Sequence, residues 1–164
     1  MSEAKTATFA AGCFWGVEHY FNKHFKEGIL KSEVGYTGGD TKDPNYRQVC
    51  SGTTGHAEAV RFEYDPSKVK YEDLVEYFYR IHDPTTKNRQ GNDVGTQYRS
   101  AIYYEDDEQK RLAEEKTAEL QKTRIRAPIT TEIVPAQQWF SAEEYHQKYL
   151  VNNPGGYCNH GERW

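Results

Sequence analysis

Apolar positions along the chain follow two alternating rhythms. Thr6 to Ala11 is small and β-tolerant and ends at Gly12, which predicts a short strand. From Phe14 the spacing changes: Phe14, Val17, Phe21 and Phe25 recur at helical intervals that stop at Gly28. Ile29 to Tyr36 predicts a second strand, closed by the turn residues Thr37-Gly38-Gly39-Asp40. His56 to Tyr64 predicts a third, with Glu58, Val60, Phe62 and Tyr64 on one face. Tyr71 to His82 is helical, with Leu74, Phe78 and Ile81 as its apolar stripe. Asp83 to Gln97 is polar and without period, and a loop that long in a compact domain is either functional or disordered. Ser100 to Tyr104 predicts a strand, Asp106 to Lys122 a largely solvated helix, and Ile129 to Val134 another strand. Ser141 with Glu144 makes a capping-box pattern opening a helix through Leu150, after which Asn152 to Cys158 has the composition of a flexible tail. Strands alternating with helices, with no repeat or linker, predict one mixed α/β or α+β sheet domain.

Composition narrows the class. The 164 residues suit a single domain, and 13 Tyr, 7 Phe and 3 Trp supply bulky core surface despite a low mean hydropathy. A net charge of -4 gives no electrostatic footprint for nucleic acid or an anionic membrane. The acidic run Glu105 to Glu108 opens a predicted helix, where it complements the helix dipole. No apolar stretch approaches a membrane span. Ala10-Ala11-Gly12-Cys13 superficially resembles a lipoprotein cleavage box, but the apolar run Ala7 to Ala11 is shorter than the ~7–15 residues of a signal core. A cytoplasmic protein is therefore expected. Its three cysteines, Cys13, Cys50 and Cys158, form no C-x-x-C pair and make a poor disulfide scaffold. The six histidines show no metal-ligand spacing with cysteine beyond Cys158 and His160, so no metal is expected.

Cys13 falls at a strand-to-helix junction. A thiol there meets unsatisfied backbone N–H groups and the positive end of the helix dipole, which lower its pKa from the free value of about 8.5. A small buried residue at a βα corner is the alternative. Of the two aromatics that follow, one must point away from the helix stripe, and an outward ring beside a thiolate makes a small apolar pocket. Glu58 stands at one end of an apolar row. Its carboxyl is either at the rim in water, or desolvated and able to donate a proton near neutral pH.

Gly12-Cys13-Phe14-Trp15-Gly16 resembles the active-site signature of the A-type peptide methionine sulfoxide reductases. Gly35 to Gly39 (GYTGG), Tyr46 to Glu58 (YRQVCSGTTGHAE), Asn88 to Ser100 (NRQGNDVGTQYRS) and Gly155 to Cys158 (GGYC) resemble that family's further blocks, in order. The resemblance implies an α+β fold, a single-domain α/β sandwich over residues 1–164 with a mixed sheet and a ferredoxin-like core. It places the catalytic Cys at the junction of strand 1 and helix 1. It implies that Cys13 attacks the sulfur of methionine S-sulfoxide, that Phe14 and Trp15 hold the methyl group, and that Glu58 protonates the departing oxygen. Tyr46, Asp93 and Tyr98 would be the polar groups around that oxygen, and Cys158, on a tail of about residues 152–164, the resolving cysteine. Thioredoxin is the implied reductant, oxidised peptides and proteins the substrates, and no cofactor is required. A monomer is expected.

Many members of that family carry two cysteines in the C-terminal tail, whereas this chain has Cys158 alone. A single Cys13–Cys158 exchange follows, unless recycling uses Cys50 or an external thiol. Two other readings remain: a thiol peroxidase using the same sulfenic chemistry, and a non-catalytic module that binds methionine-like ligands through the aromatic pair.

Overall fold

The structure is a computed structural model. It describes residues 4–12, 14–39, 45–50, 54–90 and 93–143, and of Tyr46, Cys50, Asp93 and Val94 it describes the backbone. The elements in chain order are β1 Lys5–Ala11, α1 Phe14–His24, β2 Ile29–Thr37, α2 Tyr46–Cys50, β3 Ala57–Tyr64 and α3 Tyr71–Arg80. They continue with β4 Arg89–Gln90, β5 Asp93–Val94, β6 Ser100–Tyr104, α4 Asp107–Thr123, β7 Glu132–Pro135 and β8 Phe140–Ser141.

Six strands form one sheet in the order β7-β6-β1-β3-β2-β8, and β4 pairs with β5 apart from it. Every neighbouring pair in the large sheet is antiparallel except β6 and β7, so the sheet is mixed. The strand period decides which face is covered. Ala7, Phe9 and Ala11 of β1, Val60, Phe62 and Tyr64 of β3, and Ile102 of β6 join one core with Phe14, Val17 and Phe21 of α1 and Leu74 and Phe78 of α3. Phe9 stacks on Phe21 and Phe78 at 5.6 and 5.3 Å, and Phe21 on Phe62 at 4.8 Å. Each such pair adds about 0.5–1.5 kcal/mol beyond the area it buries.

The opposite face carries Ala10, Ala57, Ala59 and Ala101 with Tyr103, and Val134 and Trp139 pack against them. The small alanine side chains let the segment leading into β8 lie close. A Cβ on Gly35 would come within 2.5 Å of the Phe140 carbonyl oxygen and 2.6 Å of the Trp139 ring. Glu33 ties the segment down by accepting from the Trp139 indole N–H and the Ser141 hydroxyl while pairing with Arg61 at 3.1 Å. Burial pushes the Glu33 carboxyl up, but the Ser141 and Trp139 bonds and the charges of Arg61 and Lys31 outweigh it, leaving it below the usual carboxylate range.

Several elements depart from the sequence pattern. α1 ends at His24 rather than running on to Gly28; Phe25 still bonds back to Phe21 and packs against the core. The described residues of the stretch from Asp83 to Gln97 are built rather than irregular. Gln90 accepts from the Asp83 N–H at 3.0 Å and holds the β4–β5 hairpin, and a 3₁₀ turn, Thr96–Tyr98, follows. β7 starts at Glu132 and not at Ile129, because Ile129 N–H donates to Gln121 and Thr130 N–H to the Pro84 carbonyl. Ser141 belongs to β8 opposite Gly35, with its hydroxyl on Glu33, so it does not open a helix; the expected helix residues 144–150 lie outside the described residues. Among the described residues no helix is long and apolar enough to cross a membrane.

Candidate active site

Four strand ends meet at one edge of the sheet. β1 runs out at Ala11 opposite the start of β6 at Ser100, and β2 runs out at Thr37 opposite the start of β3 at Ala57. Gly12, at φ +89°, turns the chain out of β1, a conformation open to glycine at little cost. α1 begins two residues later at Phe14. Cys13 is the residue between them and lies outside the described residues.

The glycine-rich blocks pack backbone on backbone at this edge. Gly39 donates its N–H to His56 Nδ1 at 3.1 Å, and a Cβ on it would fall 2.4 Å from both His56 N and the Thr54 carbonyl oxygen. Gly38, at φ +91°, lies against the Tyr103 hydroxyl and the Arg99 guanidinium. Arg99 in turn donates to the Gly55 and Thr96 carbonyls at 3.0 and 2.9 Å and pairs with Glu132 at 3.2 Å. Burial pushes the Tyr103 phenol up, a shift that neighbouring Arg99 opposes. One cation thus locks three separated stretches into a single rim. On the Arg99 side a cleft of about 650 Å³ opens between Gly55, Lys87, Asn88, Thr96 and Glu132.

Glu58, second in β3, is fully buried. Of the two environments open to it in the sequence, the structure selects the desolvated one. Its Oε1 accepts the Phe14 backbone N–H at 3.4 Å, so the carboxyl stands at the N-terminal end of α1, where helix N–H groups lack intrahelical partners. Across the sheet it is paired with Tyr36, whose ring centroid lies 5.8 Å from that of Phe14. Phe14 is fully buried, whereas Trp15 is half-buried with its ring 6.3 Å from Phe14. The pair therefore divides as the helical spacing requires, one ring in the core and one toward the surface.

Over residues 5–163 the chain matches the family model described as peptide methionine sulfoxide reductase. The chain belongs to the peptide methionine sulfoxide reductase family. The peptide methionine sulfoxide reductase MsrA of Clostridium acetobutylicum is 52% identical over 156 residues, 94% of each chain. The crystal structure of Mxr1 from Saccharomyces cerevisiae in reduced form has a TM-score of 0.94 at 38% identity, covering 99% of this chain and 93% of that one. Mxr1 in complex with Trx2 has a TM-score of 0.69 at 26% identity, over 99% and 91% of the two chains.

The residues expected for a reductase of this family fall into four groups. Glu58, Phe14 and Trp15 come together at the start of α1. Tyr98 is half-buried in the Thr96–Tyr98 turn, which packs against β3. Tyr46 opens α2 and Asp93 opens β5, both as backbone positions. α2 begins there because Asn45 and Gln48 cap it reciprocally, Gln48 N–H donating to Asn45 Oδ1 at 2.8 Å and Asn45 N–H to Gln48 Oε1 at 2.9 Å. Cys13 and Cys158 lie outside the described residues. Sequence reasoning passed over Tyr36 and Arg99. Tyr36 had a usable signal, since strand alternation puts it on the face of Val34, but the position of Arg99 depends on contacts no local pattern encodes.

Proposed function

We propose that this chain reduces methionine S-sulfoxide, in peptides and as the free amino acid, to methionine, with Cys13 as nucleophile. The observation that carries the reading is the fully buried Glu58 carboxyl at the N-terminal end of α1, against Phe14 and one residue past Cys13. A carboxyl removed from water favours its neutral form, so Glu58 is suited to hold a proton and release it onto a developing oxyanion. The same helix end supplies N–H groups and a dipole that favour thiolate at Cys13.

The Cys13 thiolate attacks the sulfoxide sulfur as the S–O bond weakens, and Glu58 protonates the oxygen. The attack forms a bond between Cys13 Sγ and that sulfur. The protonated oxygen then shifts to Cys13 Sγ as its bond to the sulfoxide sulfur and the S–S bond break. Methionine leaves and Cys13 becomes sulfenic acid, its sulfur losing two electrons and the sulfoxide sulfur gaining them. Phe14 and Trp15 hold the methyl group, a contact that suits soft sulfur compounds. Tyr46, Asp93 and Tyr98 surround the oxygen. Cys158 condenses with the sulfenic acid, expelling water and forming a disulfide. An external dithiol then reduces that disulfide. Thioredoxin fits this role, a reading supported by the Mxr1–Trx2 complex. The strand path through β6-β1-β3-β2, with α1 and α3 as crossovers, supports a ferredoxin-like core within one domain spanning 1–164. A cytoplasmic, monomeric repair enzyme acting on oxidised proteins completes the proposal.

Thioredoxin-coupled turnover of Cys158→Ser tests the recycling scheme. The variant should release about one methionine per enzyme and then stall. Sustained turnover with thioredoxin would remove Cys158 from the cycle.

A further inference from the structure

Tyr36 is fully buried, yet its hydroxyl does not serve the core: it donates to Glu143 Oε1 at 3.0 Å. Its ring occupies a junction. As the cross-strand partner of Glu58 it stands beside that side chain on the helix-covered face, since directly opposed residues hold their Cβ atoms close. On its other flank the ring lies 5.8 Å from Phe14, tilted by 39°. On the outer side of β2, Tyr36 is paired with Phe140 of β8, and Glu143 follows two residues after that strand. The chain leading to the C-terminal segment is therefore fastened beside Tyr36 by a sheet pairing and by the hydroxyl. The Ala142 N–H, donating to the Val34 carbonyl at 2.9 Å, adds a third tie.

A phenylalanine would fill the same core volume. What the hydroxyl adds is a fixed ring position: two side-chain torsions are set by packing at one end and by Glu143 at the other. A ring fixed there fixes Phe14, and Phe14 shares the start of α1 with Glu58.

We propose that Tyr36 is a positioning residue that sets substrate fit in the methyl pocket, and that Glu143 holds it in place. The inference rests on the reading of Phe14 as a wall of that pocket. Loss of the hydroxyl lets the wall relax and weakens sulfoxide binding, with a smaller effect on the maximal rate. Loss of the ring enlarges the pocket and blunts its preference for methyl over ethyl.

First-turnover kinetics without reductant, on methionine sulfoxide and ethionine sulfoxide, test this in Tyr36→Phe, Tyr36→Leu, Glu143→Ala and the Tyr36→Phe/Glu143→Ala double variant, with thermal unfolding of each. Tyr36→Phe and Glu143→Ala should each raise the half-saturating sulfoxide concentration by about 3- to 10-fold. The double variant should be no worse than either single, because one interaction is removed. Tyr36→Leu should lower the methyl-over-ethyl ratio of kcat/KM by about tenfold. Should Tyr36→Leu not fold, the Tyr36→Phe saturation curve and the double-variant comparison decide alone. Unchanged saturation and selectivity with only a lower Tm would reduce Tyr36 to a core residue and overturn the proposal, as would additive single effects. Absence of sulfoxide reduction by the wild-type chain would instead overturn the proposed function on which it rests.

Discussion

The substitution Glu58→Gln removes a titratable proton from the site and keeps the shape of the side chain. Glu58 is fully buried, and its described contact with α1 is the 3.4 Å bond accepted from Phe14 N–H. An amide oxygen accepts the same bond, and at that length the exchange costs less than about 1 kcal/mol. The chemical effect is far larger. A positioned general acid contributes roughly 10²- to 10⁴-fold, which at about 1.36 kcal/mol per tenfold is about 3–5 kcal/mol of barrier. Rapid-quench measurement of methionine released in the first turnover, without reductant, isolates this step from recycling. The expected result is a first-turnover rate lower by at least about a hundredfold, with the thermal unfolding midpoint nearly unmoved. A rate within about threefold of wild type would show that the carboxyl donates no proton in the rate-limiting step, whatever its burial.

Three further outcomes test the packing around the site. Gly39→Ala places a Cβ 2.4 Å from backbone atoms of both Thr54 and His56, neither of which can swing aside, so thermal denaturation should show a loss of about 1–3 kcal/mol; an unchanged midpoint would mean that the rim yields. The Tyr71 hydroxyl is buried with no hydrogen-bond partner among the described residues, and burial pushes its phenol well up. Tyr71→Phe should therefore be neutral or stabilise by up to about 1 kcal/mol, and a clear loss of stability in urea unfolding would refute that environment. Glu33 has its carboxyl held below the ordinary value, so its contribution is present above the unfolded-state carboxylate pKa and is lost as pH falls through the lower folded one. Glu33→Gln should accordingly flatten the acid limb of the stability–pH curve, and an identical limb in the variant would contradict the assignment.

The elements that local chemistry dictates were legible in the sequence. β6 spans the residues its pattern predicts, and the face shared by Glu58, Val60, Phe62 and Tyr64 is the face buried under the helices. Glu58 itself was ambiguous, because a terminal strand position is wet or dry according to what covers it, and its cover is the start of α1, far away in sequence. The β4–β5 hairpin escaped for a different reason. Asp83 and Gln90 hold it by side chain-to-backbone bonds, which leave no apolar period to read. β8 is two residues long and exists because Gly35 and the small residues of the opposite sheet face let Trp139 and Phe140 approach, while Glu33 captures the Ser141 hydroxyl that would otherwise suit a helix cap. Cys13 itself lies outside the described residues; the junction where the sequence puts it has a glycine at positive φ before it, the helix start after it, and a buried carboxyl that accepts from the Phe14 N–H.

The most direct test of the central claim is an epimer-resolved first turnover. The wild-type chain and Cys13→Ser are each incubated with a peptide bearing both sulfoxide epimers, without reductant, and the methionine formed is counted against enzyme. The wild type should release about one equivalent, drawn from the S epimer alone, and acquire a disulfide that includes Cys13, while Cys13→Ser releases none. Methionine released by Cys13→Ser, or consumption of the R epimer by the wild type, would contradict the account.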